Sequence, residues 1–173
     1  MAFNSLTVSL ENSGVFRLGD TTNGITVVQR MGGTSVPVGA FALEWGTGNG
    51  QANALYVSGI RTVAATTADN LNLTTLSMAG TTFSLTKVKY LLVVISGPDG
   101  TKSLQVGPRN VSNAVQLGWG GTGATVYDTV LTDREWKHPY AGWTVTASTA
   151  DILGIYNPGA GSVDYSVVVA GLD

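Results

Sequence analysis

Apolar and polar residues alternate along this chain in short runs, and Gly, Pro or clustered Thr break every window before three- and four-residue spacing can build a helix. Short β-strands are the expectation throughout. Leu6-Thr7-Val8-Ser9-Leu10 alternates cleanly, Glu11-Asn12-Ser13-Gly14 supplies turn residues, and Val15-Phe16-Arg17-Leu18 follows as the returning strand of a hairpin. Ile25 to Arg30 reads as a third strand, introduced by the turn signal Asn23-Gly24. A Gly-rich stretch from Gly32 to Gly39 comes next, and Gly46-Thr47-Gly48-Asn49-Gly50 offers little to bury and much backbone freedom. That second stretch is the expected hinge, dividing an N-terminal β-rich arm, 1–50, from a main domain, 51–173.

Within the main domain, Ala54 to Val63 and Asp69 to Leu73 read as strands. The run Tyr90-Leu91-Leu92-Val93-Val94-Ile95 is too short for an average helix and rich in β-branched residues. It is expected at the centre of a sheet, buried on both faces. Gly97-Pro98-Asp99-Gly100 then turns the chain into Ser103 to Gly107. Short strands are expected again at Thr125–Tyr127, Thr129–Leu131, Trp143–Ala147, Asp151–Tyr156 and Val163–Val169. Thr132 to Pro139, the one charge-dense segment, reads as an exposed loop. About eight strands at regular spacing with turn signals between them predict an all-β, antiparallel β-sandwich or jelly roll rather than a parallel α/β fold.

At 173 residues the chain is long enough for one sizeable core. Charged residues make up 12%, about half the share of an ordinary soluble domain, so hydroxyl-bearing residues or covering partners must account for much of the surface. A net charge of −2 with scattered Lys and Arg gives no basic stripe, which argues against nucleic-acid binding. The chain has no cysteine, which removes disulfides and thiolate metal sites and suits a reducing interior. Met1-Ala2-Phe3-Asn4-Ser5-Leu6 lacks a basic region leading into an apolar one, and no stretch nears the roughly 18 apolar residues of a membrane span. Neither a signal for export nor a membrane anchor is expected.

Catalytic chemistry finds few candidates. His138 is the single histidine, and with Asp128, Asp133 and Glu135 it is the one constellation that suggests a metal or acid–base site. The plainer reading outweighs it: Asp133, Arg134, Glu135 and Lys137 neutralise one another at the surface. Other carboxylates, such as Asp69 and Asp99, stand beside turn residues, where turn chemistry explains them. Gly118-Trp119-Gly120-Gly121-Thr122-Gly123 is glycine-rich, but no Lys-Ser/Thr pair follows as a phosphate cradle requires. No enzyme activity, cofactor or metal is expected. Of the four tryptophans, Trp143 heads a strand and is expected in packing. Trp119 and Trp136, in predicted loops, are expected to contact another chain.

Five pieces in order carry a resemblance: Arg61-Thr62-Val63-Ala64-Ala65 leading into Leu71-Asn72-Leu73; the central strand with Lys87-Val88-Lys89; Leu104-Gln105-Val106-Gly107; Gly142 to Ala147; and Ile155-Tyr156-Asn157-Pro158-Gly159 through Val167 to Gly171. On these, the span from about Leu55 to Asp173 resembles the auxiliary virion proteins of tailed bacteriophages and prophages, the capsid-decorating or head-associated kind. The resemblance implies a jelly-roll-like β-sandwich that assembles as an oligomer, often a trimer, on a virion surface. It carries over no functional residue. The expected function is therefore that of a capsid decoration or cement protein, made in the host cytoplasm, whose partners are its own copies and the major capsid protein or another virion protein. Residues 1 to 50 lie outside the match, and their apolar positions Val8, Leu10, Phe16 and Leu18 are expected to make the particle-specific contact. The alternative is a tail-associated receptor- or carbohydrate-binding module, which calls for exposed Trp and Tyr with converging Asp or Asn.

Overall fold

Two long strands organise the molecule, and each gives alternate side chains to two different apolar clusters. A computed structural model describes residues 7–11, 15–19, 26–30, 43–78, 80–109, 111–119, 125–138 and 141–173. No helix occurs among them. The predicted turns at Asn12–Gly14 and Asn23-Gly24, the Gly32–Gly39 stretch and the Gly120–Gly123 part of the glycine-rich loop lie outside the described residues.

The first strands are β1 (Thr7–Glu11), β2 (Val15–Gly19) and β3 (Thr26–Arg30), which pair with one another in an antiparallel sheet. A two-residue parallel pair follows, β4 (Glu44–Trp45) and β5 (Gln51–Ala52), then β6 (Ala54–Val57), β7 (Arg61–Val63) and β8 (Ala68–Asn72). A short hairpin comprises β9 (Leu76–Met78) and β10 (Thr81–Phe83), before the long β11 (Lys87–Ile95). The remaining strands are β12 (Leu104–Val106), β13 (Asp128–Val130), β14 (Asp133–Lys137), β15 (Trp143–Thr144), β16 (Ile152–Tyr156) and β17 (Val163–Leu172).

The larger sheet runs β14-β11-β17-β6, with β15 also beside β11 and β7 also beside β17; the smaller runs β13-β12-β16-β8. All pairings within these two sheets are antiparallel. The chain is thus all-β, as its pattern predicts, and its two antiparallel sheets form a sandwich. Leu91, Val93 and Ile95 of β11 and Tyr165, Val167 and Val169 of β17 share one cluster with Leu71, Leu104, Val106, Leu153 and Ile155 of the smaller sheet. The alternate residues Tyr90, Leu92 and Val94 of β11 and Val168 and Ala170 of β17 join Leu43, Ala52, Leu55 and Val57 in a second cluster on the opposite face. This is why Tyr90 to Ile95 reads as an unbroken apolar run: both of its faces are buried, each Leu, Val or Ile contributing about 1.5–3 kcal/mol.

Register breaks once along β11. Val88 sits opposite Gly171 and Tyr90 opposite Ala170, leaving Lys89 as an extra residue in a bulge that bends the strand. Gly46–Gly50, the expected hinge, is a turn tied down by hydrogen bonds. The Gly46 N–H donates to the Ala52 carbonyl, the Gln51 N–H to the Gly48 carbonyl, and the Gly48 N–H to Gln51 Oε1.

The expectation of an exposed loop over Thr132 to Pro139 is corrected: Asp133–Lys137 forms β14, an edge strand paired to β11. Its charges alternate with strand periodicity. Asp133 and Glu135 take one face, while Trp136 enters the inner cluster opposite Leu91. Charge on an edge strand discourages pairing with another sheet, and this is the physical reason a strand here resembles a solvated loop.

Candidate functional site

The acids and the histidine singled out from the sequence do not converge. Asp128, at the start of β13, accepts a hydrogen bond from Trp136 Nε1 at 2.9 Å and lies 3.8 Å from Arg134 Nη2. Glu135, on the other face of β14, pairs with Lys137 at 2.8 Å. Asp133 accepts a hydrogen bond from the Thr132 hydroxyl at 2.9 Å. His138 Nδ1 accepts from the Gly142 N–H at 2.9 Å, and its ring meets Trp143 edge-on at 4.8 Å. Asp128 reaches from β13 of the smaller sheet to Arg134 and Trp136, and Asp133 and Glu135 take the opposite face of β14, because neighbouring strand residues face opposite ways. Among the described residues no three metal-ligating side chains come together.

The structure does bring the two nominated tryptophans together. Their rings lie 5.5 Å apart at 74°, an edge-to-face pair. Trp119 is half-buried, and its Nε1 donates to the Val115 carbonyl at 3.0 Å. Trp136 is 9% exposed with its N–H committed to Asp128, so little of it remains for a second chain. The apolar surface the sequence reading passed over is at the turns: Ile60 is 73% exposed and Leu131 57%.

Register also groups the N-terminal candidates. Val8 pairs with Leu18 and Leu10 with Phe16, while Leu18 and Phe16 pair onward with Val27 and Gln29. Val8, Leu10, Phe16, Leu18 and Val27 therefore hold register positions of one face of the three-stranded sheet, with Gln29 among them. Glu11, Arg17 and Arg30 hold positions of the other, together with Val15 and Val28.

Two polar constellations had no sequence signature. In the first, Arg61 of β7 donates to both carboxylate oxygens of Asp69 on β8, at 2.7 and 2.8 Å, and the buried Tyr165 hydroxyl donates to Asp69 at 2.7 Å. This clamp joins the two sheets. Burial raises the Asp69 pKa, but the bonds from Arg61 and Tyr165 outweigh it and hold the carboxyl below its ordinary value. Burial, then the bond to Asp69, pushes the Tyr165 phenol up. An aspartate with a depressed folded pKa stabilises above its unfolded value of about 4 and loses that contribution as pH falls through the folded value. Thermal denaturation of the intact chain should thus show an acid limb below about pH 4 that flattens in Asp69→Asn. Asp69→Ala should cost about 2–3 kcal/mol at neutral pH, since it orphans the Tyr165 hydroxyl.

The second constellation is Arg109, whose guanidinium carbon lies 4.5 Å from the Tyr156 ring centroid and 5.1 Å from that of Tyr127. A separate buried charge, Lys89, is 1% exposed and points its ammonium at the Gly48 carbonyl, 3.5 Å away. Burial, and then the charge of Lys87, lower its pKa. No protein-family model, curated protein or solved structure matches this chain.

Proposed function

We propose that this chain is a structural protein of a tailed-phage virion, a decoration or cement protein that binds the assembled shell as an oligomer, a trimer by the resemblance noted above, and acts without catalysis. In this reading the sandwich is of jelly-roll type and, within residues 1–50, the part ahead of Leu43 is an arm that docks on the major capsid protein or a neighbouring copy. The observation that carries it is the register of the three-stranded N-terminal sheet. It sets Val8, Leu10, Phe16, Leu18 and Val27 at positions of one face, and an apolar face of that kind gains stability when another surface packs on it. Each such residue contributes about 1.5–3 kcal/mol on burial. Repeated around a shell, contacts of that size add through multivalency. The chain's low charge favours the same reading, because it suits surfaces that end up covered.

Deleting residues 1–30 tests it while leaving Leu43, part of the second cluster, in place. The shortened protein should stay folded and oligomeric by sedimentation but fail to co-purify with shells. Full occupancy by the shortened protein would refute the arm, and absence of the intact protein from purified particles would refute the whole assignment.

A further inference from the structure

We propose that the outer face of the smaller sheet binds an acidic sugar, with Arg109 as its carboxylate receptor. The row Thr129–Gln105–Tyr156–Ala68 crosses all four strands of that sheet. Its sequence neighbours Val130, Leu104, Val106 and Ile155 fill the inner cluster, so the row faces away from the core. Arg109 lies over Tyr156 at one side of the row and is flanked by Tyr127. Two rings fix its guanidinium plane before any ligand arrives.

The loop that carries Arg109 is itself held. The Gly107 N–H donates to the Gly154 carbonyl and the Val111 N–H to the Pro108 carbonyl. Val111 sits on Gly154 so closely that a Cβ there would be 2.5 Å from its Cγ2.

Two polar atoms beside Tyr156 lack what they need. Arg61 and Arg134 each face a carboxylate, but among the described residues none pairs with Arg109, and its Nε is buried with no acceptor. Gln105, directly across from Tyr156, buries Oε1 with no donor. A buried polar group left unpaired is costly, so a ligand that supplies an acceptor to the first and a donor to the second is favoured. Both side chains are only half-buried, so each is reached from this face. An acidic sugar carries both groups, a carboxylate for the guanidinium and a hydroxyl for the amide oxygen. The exposed Thr129 and Asn70 on the same face offer further hydrogen bonds to hydroxyls. A neutral sugar lacks the charge; an acidic peptide brings a carboxylate and N–H donors, but on a flexible chain, whereas a sugar ring holds carboxylate and hydroxyl rigidly side by side.

Calorimetric titration of the intact chain with oligomers of galacturonate, glucuronate and sialic acid tests this, alongside an uncharged oligosaccharide and polyglutamate. Saturable binding of at least one acidic oligosaccharide is expected, with little to the uncharged one or to polyglutamate. Arg109→Ala should weaken it at least about tenfold, the loss of one charge-assisted bond. Arg109→Lys, which keeps the charge and removes the planar fork, should weaken it as well and guards against a folding defect in the alanine variant. Equal binding to polyglutamate, no binding to any acidic sugar, or affinity unchanged in both variants would overturn the site. Shell binding is a separate measurement, so failure of either leaves the other standing.

Discussion

Among the described glycines, Gly171→Ala should be the most damaging change to alanine, costing about 3 kcal/mol or more and leaving little folded material near physiological temperature. A Cβ at that position would lie 2.0 Å from the Lys87 carbonyl oxygen, 3.1 Å from its carbon and 3.3 Å from Leu85 Cδ2. The nearest of these is backbone at the start of β11, so no rotamer change relieves the clash. Gly171 pairs with Val88, next to the register break that leaves Lys89 as the extra residue. Gly59→Ala is the control: nothing stands within 4 Å of the added carbon, and the change should stay within about 0.5 kcal/mol. Chemical denaturation of the two variants side by side separates a local clash from a general intolerance of altered glycines.

Asn157→Asp should be nearly as severe, and its cost should depend on pH in the opposite sense to that of the parent chain. Asn157 is 0% exposed; its Nδ2 donates to the carbonyls of Val63 and Ala64 at 3.2 Å and of Gly161 at 2.7 Å, while Oδ1 accepts from the Gly159 N–H at 2.9 Å. One amide thereby ties the turn before β17 to the end of β7. An aspartate there would set a negative charge against three carbonyl oxygens, at about 3 kcal/mol or more at neutral pH. Protonation relieves that repulsion, so the folded variant holds its proton to a higher pH than the unfolded chain. Its deficit is then smallest below about pH 4 and grows as pH rises through the folded value. The parent chain moves the other way, losing the Asp69 clamp as pH falls. A deficit that does not change with pH would mean that Asn157 acts through shape alone.

The core was legible because strand periodicity is local. Tyr90 to Ile95 announced a strand buried on both sides, and Leu6 to Leu18 announced a hairpin whose two strands, Thr7–Glu11 and Val15–Gly19, pair antiparallel. The charged segment misled because an edge strand and a loop are both solvated, and only the partner strand β11 distinguishes them. Short strands such as β4, β5 and β15 have two residues each, too few to carry a period. The polar constellations were hidden for a different reason. Arg61, Asp69 and Tyr165 meet across two sheets, and Arg109 reaches Tyr127 and Tyr156 from a loop, so neither set has a spacing that a linear pattern reveals. In a chain with so few charges, each arginine was nonetheless a fair candidate for a specific partner, and that weak compositional hint was the one available.

The place of β17 in the larger sheet also bears on how the protein is made. This strand lies between β11 and β6, so two halves of the sheet have no common neighbour until a ribosome has finished the segment Val163–Leu172. Until then the apolar run on β11 is without its main partner and open to association with other nascent chains. Folding that waits for pairings so distant in sequence is slow, on the order of milliseconds to seconds, and productive synthesis will be favoured by low temperature and by chaperones that shield extended apolar segments.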